Sequence, residues 1–212
     1  MIEPTSSYIK ICGVTTLGDA NAIIDAGANA LGLIMTKSPR QLTLDRALAI
    51  AAATKGRIVR TAVFNEEDDD VILDALDLLD VDAVQLHGPL SEALRAALRE
   101  RQVTIVKALS IGSDEFFDFD ERGVDMVHID GAKPGSGQAH SWDELEARSF
   151  SVPVIAAGGL RPDSVAHVIT FTSVWGVDTA SGVESSPGVK DRELVKRFVH
   201  NATTAFEKKA AS

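Results

Sequence analysis

Tyr8-Ile9-Lys10-Ile11-Cys12-Gly13 is a short strand-like run whose two faces are chemically opposite. Side chains alternate along a strand, so Ile9 and Ile11 share one face while Tyr8, Lys10 and Cys12 share the other. An ordinary buried strand has no use for a Lys/Cys face. A barrel strand does: it packs its apolar face outward on helices and aims chemistry inward from its last residue. The plainer reading of Cys12 is a small buried hydrophobe, as most lone thiols are.

The rest of the chain repeats the unit. Strand candidates lie at Tyr8–Cys12, Ala30–Ile34, Ile58–Phe64, Ala83–Leu86, Thr104–Ala108, Met126–Asp130, Val154–Ala156 and Gly176–Thr179. Helical periodicity falls between them at Leu17–Ala26, Leu44–Ala53, Val71–Leu79, Glu92–Arg99, Ser164–Thr170 and Arg192–Lys208, with weaker segments after Ser113 and after Ser141. Asp114, Ser141, Asp163 and Asp191 are candidate helix caps. Eight βα units with no linker predict one (β/α)₈ TIM barrel over residues 1–212, with eight parallel strands inside and helices outside.

Composition limits the function. The 212 residues carry 45% hydrophobic and 25% charged residues, a soluble globular balance, and no apolar run long enough to span a membrane. The first residues lack a signal-peptide layout, and one cysteine excludes an intramolecular disulfide, so a cytoplasmic location is expected. A net charge of −10 argues against nucleic acid or an anionic membrane as partner. A small phosphorylated substrate remains compatible, because backbone N–H groups can hold phosphate. The acidic run Glu66–Asp70 reads as a solvated loop and helix start.

A barrel builds its active site from the C-terminal strand ends and the loops that follow. Those ends carry Cys12-Gly13, then Lys37-Ser38-Pro39-Arg40, Gln85-Leu86-His87-Gly88, His128-Ile129-Asp130-Gly131, Gly158-Gly159, and Asp178 followed by Ser181-Gly182. The sixth strand repeats the first: Val127 and Ile129 face out, so Met126, His128 and Asp130 face in, with Asp130 at the rim. Glycine pairs after the last two strands suit a phosphate, and Gly135 and Gly137 suit a loop over the ligand. Arg40 can grip a carboxylate with two prongs. Two alternatives stand beside these readings: Asp130 as a simple turn cap, and a metal site from His87, His128, Asp130 and Asp178, although no zinc spacing supports one.

The segments KICGVTT, DANAIIDAGANALGLIMTKSPR, VFN, VQLHG, PVIAAGGLRPDSV and GVDTASGVESSPGVKD, together with the Asp130 strand, resemble the phosphoribosylanthranilate isomerases from about Tyr8 to Phe198. The resemblance implies a cofactor-free barrel enzyme of tryptophan biosynthesis that turns N-(5'-phosphoribosyl)anthranilate, an aminoaldose, into an aminoketose by an Amadori rearrangement. It assigns Cys12 as general base and Asp130 as general acid. Arg40 is expected to hold the anthranilate carboxylate, and Gly158, Gly159, Ser181 and Gly182 the phosphate. His87 and Asp178 are expected to line the sugar or orient the acid and base, with no metal. Both catalytic groups need tuning, since an ordinary thiol near 8.5 is mostly protonated and an ordinary Asp near 3.9 mostly ionised at pH 7.

Departures from the family pattern are Pro134-Gly135-Ser136-Gly137 for Gly-Gly-Thr-Gly, Met35 for Phe, Ser164 for Asn, and Thr179-Ala180 for Val-Ser. None removes a catalytic group. A sister barrel isomerase of histidine biosynthesis, or a non-catalytic phosphate-ligand binder, are the competing functions; Cys12 and Arg40 speak against the first, and the intact Cys12, Asp130 and Arg40 against the second. The short stretch before Tyr8 predicts a chain with one activity; a monomer or homodimer is expected.

Overall fold

The computed structural model describes residues 7–131, 142, 145 and 148–211. The expected loop Pro134–Gly137 and the expected cap Ser141 lie outside the described residues.

Eight parallel strands close into a barrel in sequence order. They are β1 (Tyr8–Cys12), β2 (Ala30–Ile34), β3 (Val59–Phe64), β4 (Ala83–Leu86), β5 (Thr104–Ser110), β6 (Met126–Asp130), β7 (Val154–Ala157) and β8 (Gly176–Thr179). Closure runs through β1, where Lys10 is level with Ala30 on one side and Asp178 on the other. Alternation divides the core in two. The outward residues Ile9, Ile11, Leu31, Leu33, Val84, Leu86, Val127 and Ile129 join one large cluster with helix residues such as Ile23, Ile50, Leu94, Leu98 and Phe198. The inward residues Tyr8, Ala30, Ala83, Val106, Met126 and Ile155 form a separate small cluster inside the barrel. Ile9, Ile11, Val127 and Ile129 therefore face outward as expected, with Tyr8 and Met126 on the opposite, inner face.

The outer layer contains α1 (Leu17–Asp25), α2 (Leu44–Thr54), α3 (Asp69–Leu78), α4 (Glu92–Glu100), α5 (Asp114–Asp118), α6 (Val165–Phe171) and α7 (Arg192–Ala210). Most start at a side-chain cap: Thr16, Thr43, Ser91, Ser113 and Asp191 each accept from a backbone N–H two or three residues on. Two expected caps are displaced. Ser113, in extended backbone, caps α5 in place of Asp114, and Ser164 takes the position expected for Asp163. Ser164 gives α6 no side-chain cap bond, because its Oγ accepts from Arg161 N at 3.0 Å.

One element has no counterpart among the sequence expectations. After β8 the chain makes a 3-10 turn, Ser181–Val183, then an antiparallel hairpin of β9 (Glu184–Ser186) and β10 (Val189–Lys190). Pro187-Gly188 turns it, with Gly188 at φ +81°. Proline followed by a positive-φ glycine is the chemistry of a type II turn. The hairpin is tied to the rest of the rim: Thr15 Oγ1 donates to the Gly188 carbonyl at 2.6 Å. No described helix is long and apolar enough to cross a membrane.

Candidate active site

Cys12 ends β1 on the inner face and is 7% exposed. Room for its thiol comes from β2: a Cβ on Gly32, level with Cys12, would sit 2.6 Å from Sγ. Burial pushes the Cys12 thiol up from its ordinary value, against the pull of Lys10 and Lys190. The expectation that a base needs an easily lost proton meets the opposite tuning here. Resting Cys12 is a thiol, and its rare thiolate is correspondingly a strong base.

A polar layer lies one pleat below. Lys10 Nζ donates to Asp178 Oδ2 at 2.8 Å and to Gln85 Oε1 at 3.1 Å. His128 Nε2 meets the same Asp178 oxygen at 2.9 Å, and Gln85 Nε2 meets His87 Nε2 at 2.8 Å. Burial alone would neutralise these charges, but pairing wins. Asp178 lies well below the ordinary carboxylate range despite desolvation, because Lys10 and His128 hold it, and Lys10 is raised in turn by Asp178.

The bonds also orient His87. The amide oxygen of Gln85 faces an ammonium, so its NH₂ faces His87 and donates to Nε2. That leaves a neutral His87 with its proton on Nδ1. Burial, then the nearby cations, depress His87 to about 3, in keeping with a neutral ring. His87 can therefore offer substrate a hydrogen bond without charge.

Asp130 ends β6 and is half-buried. It faces the end of β7, where Gly158 has φ +98° and a Cβ would fall 2.7 Å from Asp130 Oδ1 and 2.5 Å from Gly131 N. Only glycine allows both that backbone and that approach. The two expected phosphate loops are brought together. A Cβ on Gly182 would lie 1.8 Å from the Leu160 carbonyl, which accepts from Thr179 Oγ1 at 2.6 Å. Gly158, Gly159, Ser181 and Gly182 thus belong to two loops in direct contact.

Arg40 lies across Gly13, where a Cβ would be 2.5 Å from Arg40 Cδ, and so sits beside the Cys12 strand end. Its Nε and Nη2 donate to Glu184 at 2.8 and 2.7 Å. Lys190 Nζ bonds the same carboxylate at 2.8 Å and the Ala180 carbonyl at 3.0 Å.

The rim thus receives Cys12, Arg40, His87, Asp130 and the two glycine loops, while Asp178 lies deeper, 4% exposed and bonded to Lys10 and His128. Asp178 is placed to orient the layer beneath Cys12. Lys10 and Gln85 were noted in the sequence without a role, and Gly32, Glu184 and Lys190 were not singled out. Inward alternation signalled Lys10 and Gln85; nothing local signalled Gly32. His128 and Asp178 bond each other directly, and no group of three or more His, Cys, Asp or Glu that could hold a metal occurs among the described residues.

Comparison with known proteins agrees with this arrangement. The family model described as N-(5'phosphoribosyl)anthranilate (PRA) isomerase matches residues 9–201. An N-(5'-phosphoribosyl)anthranilate isomerase of Myxococcus xanthus is 38% identical over 214 residues, covering 93% of this chain and 96% of that protein. One from Cellvibrio japonicus is 33% identical, covering 94% and 95%. Among solved structures, the Thermotoga maritima phosphoribosyl anthranilate isomerase superposes with a TM-score of 0.85 at 31% identity, over 93% of this chain and 99% of that one. A phosphoribosyl anthranilate isomerase in complex with reduced 1-(o-carboxyphenylamino)-1-deoxyribulose 5-phosphate gives 0.82 at 30%, with the same coverage. Motifs, closed barrel and rim all lead to one conclusion: the chain belongs to the N-(5'-phosphoribosyl)anthranilate isomerase family.

Proposed function

We propose that this barrel carries out its family's Amadori rearrangement, a step of tryptophan biosynthesis, with Cys12 as general base and Asp130 as general acid. The observation that carries the reading is their placement: both are the last inward residues of their strands, β1 and β6, beside two touching glycine loops that suit a phosphate.

The chemistry needs one acid and one base. Asp130, starting protonated, gives its proton to the furanose ring oxygen as the C1–O bond breaks. The anthranilate nitrogen lone pair fills in behind it and forms an iminium. The Cys12 thiolate then removes the C2 proton, and the C2–H electrons form the enolamine. Tautomerisation returns a proton at C1 and leaves the C2 ketone. No electrons leave the substrate, so acid–base groups suffice. Nδ1–H of His87 hydrogen-bonds the sugar, the glycine loops hold the phosphate through N–H groups, and Arg40 takes the anthranilate carboxylate. The Lys10–Asp178 pair supplies fixed charge beneath the thiol.

The setting we infer is the cytoplasm. A monomer or homodimer fits the family, in which a structure described as monomers generated from the dimeric Thermotoga maritima enzyme is known. The test is turnover of phosphoribosylanthranilate by the purified protein, run beside the histidine-pathway aminoaldose. Turnover of the first is expected, with a roughly 10²–10⁴-fold loss of kcat in Asp130→Asn. Turnover of only the imidazole substrate would refute the reading.

A further inference from the structure

Arg40 has five N–H donors in a planar fork, and Glu184 uses two of them, on Nε and Nη2. That is the side-on edge of the guanidinium. The end-on edge, formed by Nη1–H and the second Nη2–H, donates to no acceptor among the described residues and is the other two-pronged face that fits a carboxylate.

We infer that Glu184 is a positioning residue for substrate recognition: it occupies one edge of Arg40 so that the other is presented, pre-oriented, to the carboxylate of the substrate's aromatic ring. The inference rests on the proposed role of Arg40 and extends it.

Three features of the surroundings support it. Glu184 is 4% exposed at its side chain and Lys190 is 0%, so the carboxylate is held out of solvent by two cations. Burial would raise the Glu184 carboxyl, but the bonds from Arg40 and Lys190 outweigh it and keep the group ionised. Lys190 also supplies the charge arithmetic. A lone Arg40–Glu184 pair would be neutral and a poor lure for an anion; with Lys190 the cluster keeps one net positive charge. Finally, the cluster is anchored at both ends. Gly13 accepts the Arg40 stem across β1, and the Lys190 bond to the Ala180 carbonyl fixes the hairpin to the end of β8.

A guanidinium held in place loses little freedom when it binds. A long, unrestrained arginine would have to be ordered by the ligand itself. Glu184 therefore contributes to affinity for the carboxylate without touching the substrate.

The test compares two probes by calorimetry: reduced 1-(o-carboxyphenylamino)-1-deoxyribulose 5-phosphate, and the same compound lacking the ring carboxylate. Wild-type protein should prefer the carboxylate probe by about tenfold or more, the scale of a charge-assisted pair. Glu184→Gln leaves two uncompensated cations, Arg40 and Lys190, so attraction set by charge alone would raise the preference; loss of the Arg40 preorganisation should instead shrink it to about threefold or less. Glu184→Asp, which keeps the charge, should restore part of it. Full preference in Glu184→Gln, or no recovery in Glu184→Asp, overturns the inference while leaving Arg40 its role. Equal preference in wild type and Arg40→Ala would instead overturn the role of Arg40, and the inference with it.

Discussion

The lower and middle layers of the barrel interior differ sharply although they alternate along the same strands. The lower layer, toward the strand N-termini, is Tyr8, Ala30, Ala83, Val106, Met126 and Ile155, with Tyr8 stacked on Trp175 at a ring distance of 5.2 Å. The middle layer is Lys10, Gln85, His128 and Asp178, bonded together. Hydrophobic burial of these side chains holds the lower layer. The middle layer takes two charges out of water and recovers the cost only through mutual bonds. Within β1, Tyr8, Lys10 and Cys12 pass from packing to fixed charge to the proposed base at intervals of two residues. The lower layer gives the barrel its shape, and the middle one gives the rim a defined electrostatic floor.

Breaking the middle layer should have the largest effect. Lys10→Met leaves Asp178 buried with His128 as its remaining partner, and should cost about 3–5 kcal/mol of stability in chemical denaturation. Adding Asp178→Asn should recover part of that loss. Strict additivity would show that the two residues do not act as a pair.

The lower layer should fail differently. Tyr8→Ala removes a buried ring and should cost about 3 kcal/mol, yet the protein that remains folded should keep its kcat. A fall in kcat matching that of a middle-layer variant would erase the distinction between the layers.

A smaller effect appears with pH. His87 takes its proton near 6.5 when unfolded but only at about 3 when folded. Its contribution is therefore complete above pH 6.5 and is lost as pH falls, at up to about 1.4 kcal/mol per pH unit. Asp178, depressed when folded, adds to the loss below about pH 4. His87→Asn should flatten the slope between pH 6.5 and 4; an unchanged slope would assign it to other groups.

These layers were only partly legible in the sequence. Alternation put Tyr8, Lys10 and Cys12 on the inner face, and the strand bounds at Tyr8–Cys12, Ala30–Ile34, Ala83–Leu86, Met126–Asp130 and Gly176–Thr179 match the structure. Period-two patterning is local, so it survives without knowledge of the fold. Partners are not local. Lys10 and Asp178 are 168 residues apart and Arg40 and Glu184 are 144 apart, and only closure of the barrel brings them together. Gly32 needs the β1–β2 register before its purpose is visible. The Glu184–Lys190 hairpin is a different case: Pro187-Gly188 is a readable turn signal between two short polar strands. Displacement of a cap from Asp114 to Ser113 reflects two adjacent residues that both favour the position, decided by backbone geometry.

The central claim is that the buried Cys12 thiol, in its ionised form, is the base. Its most direct test is kcat/KM for phosphoribosylanthranilate from pH 6 to 10 in wild type and Cys12→Ala, with melting curves as a control. The account predicts one limb of the wild-type profile above the ordinary thiol value of about 8.5, because burial raises Cys12. In a folded Cys12→Ala, activity should fall roughly 10²–10⁴-fold and that limb should vanish. A Cys12→Ala protein that keeps either the rate or the limb would contradict it.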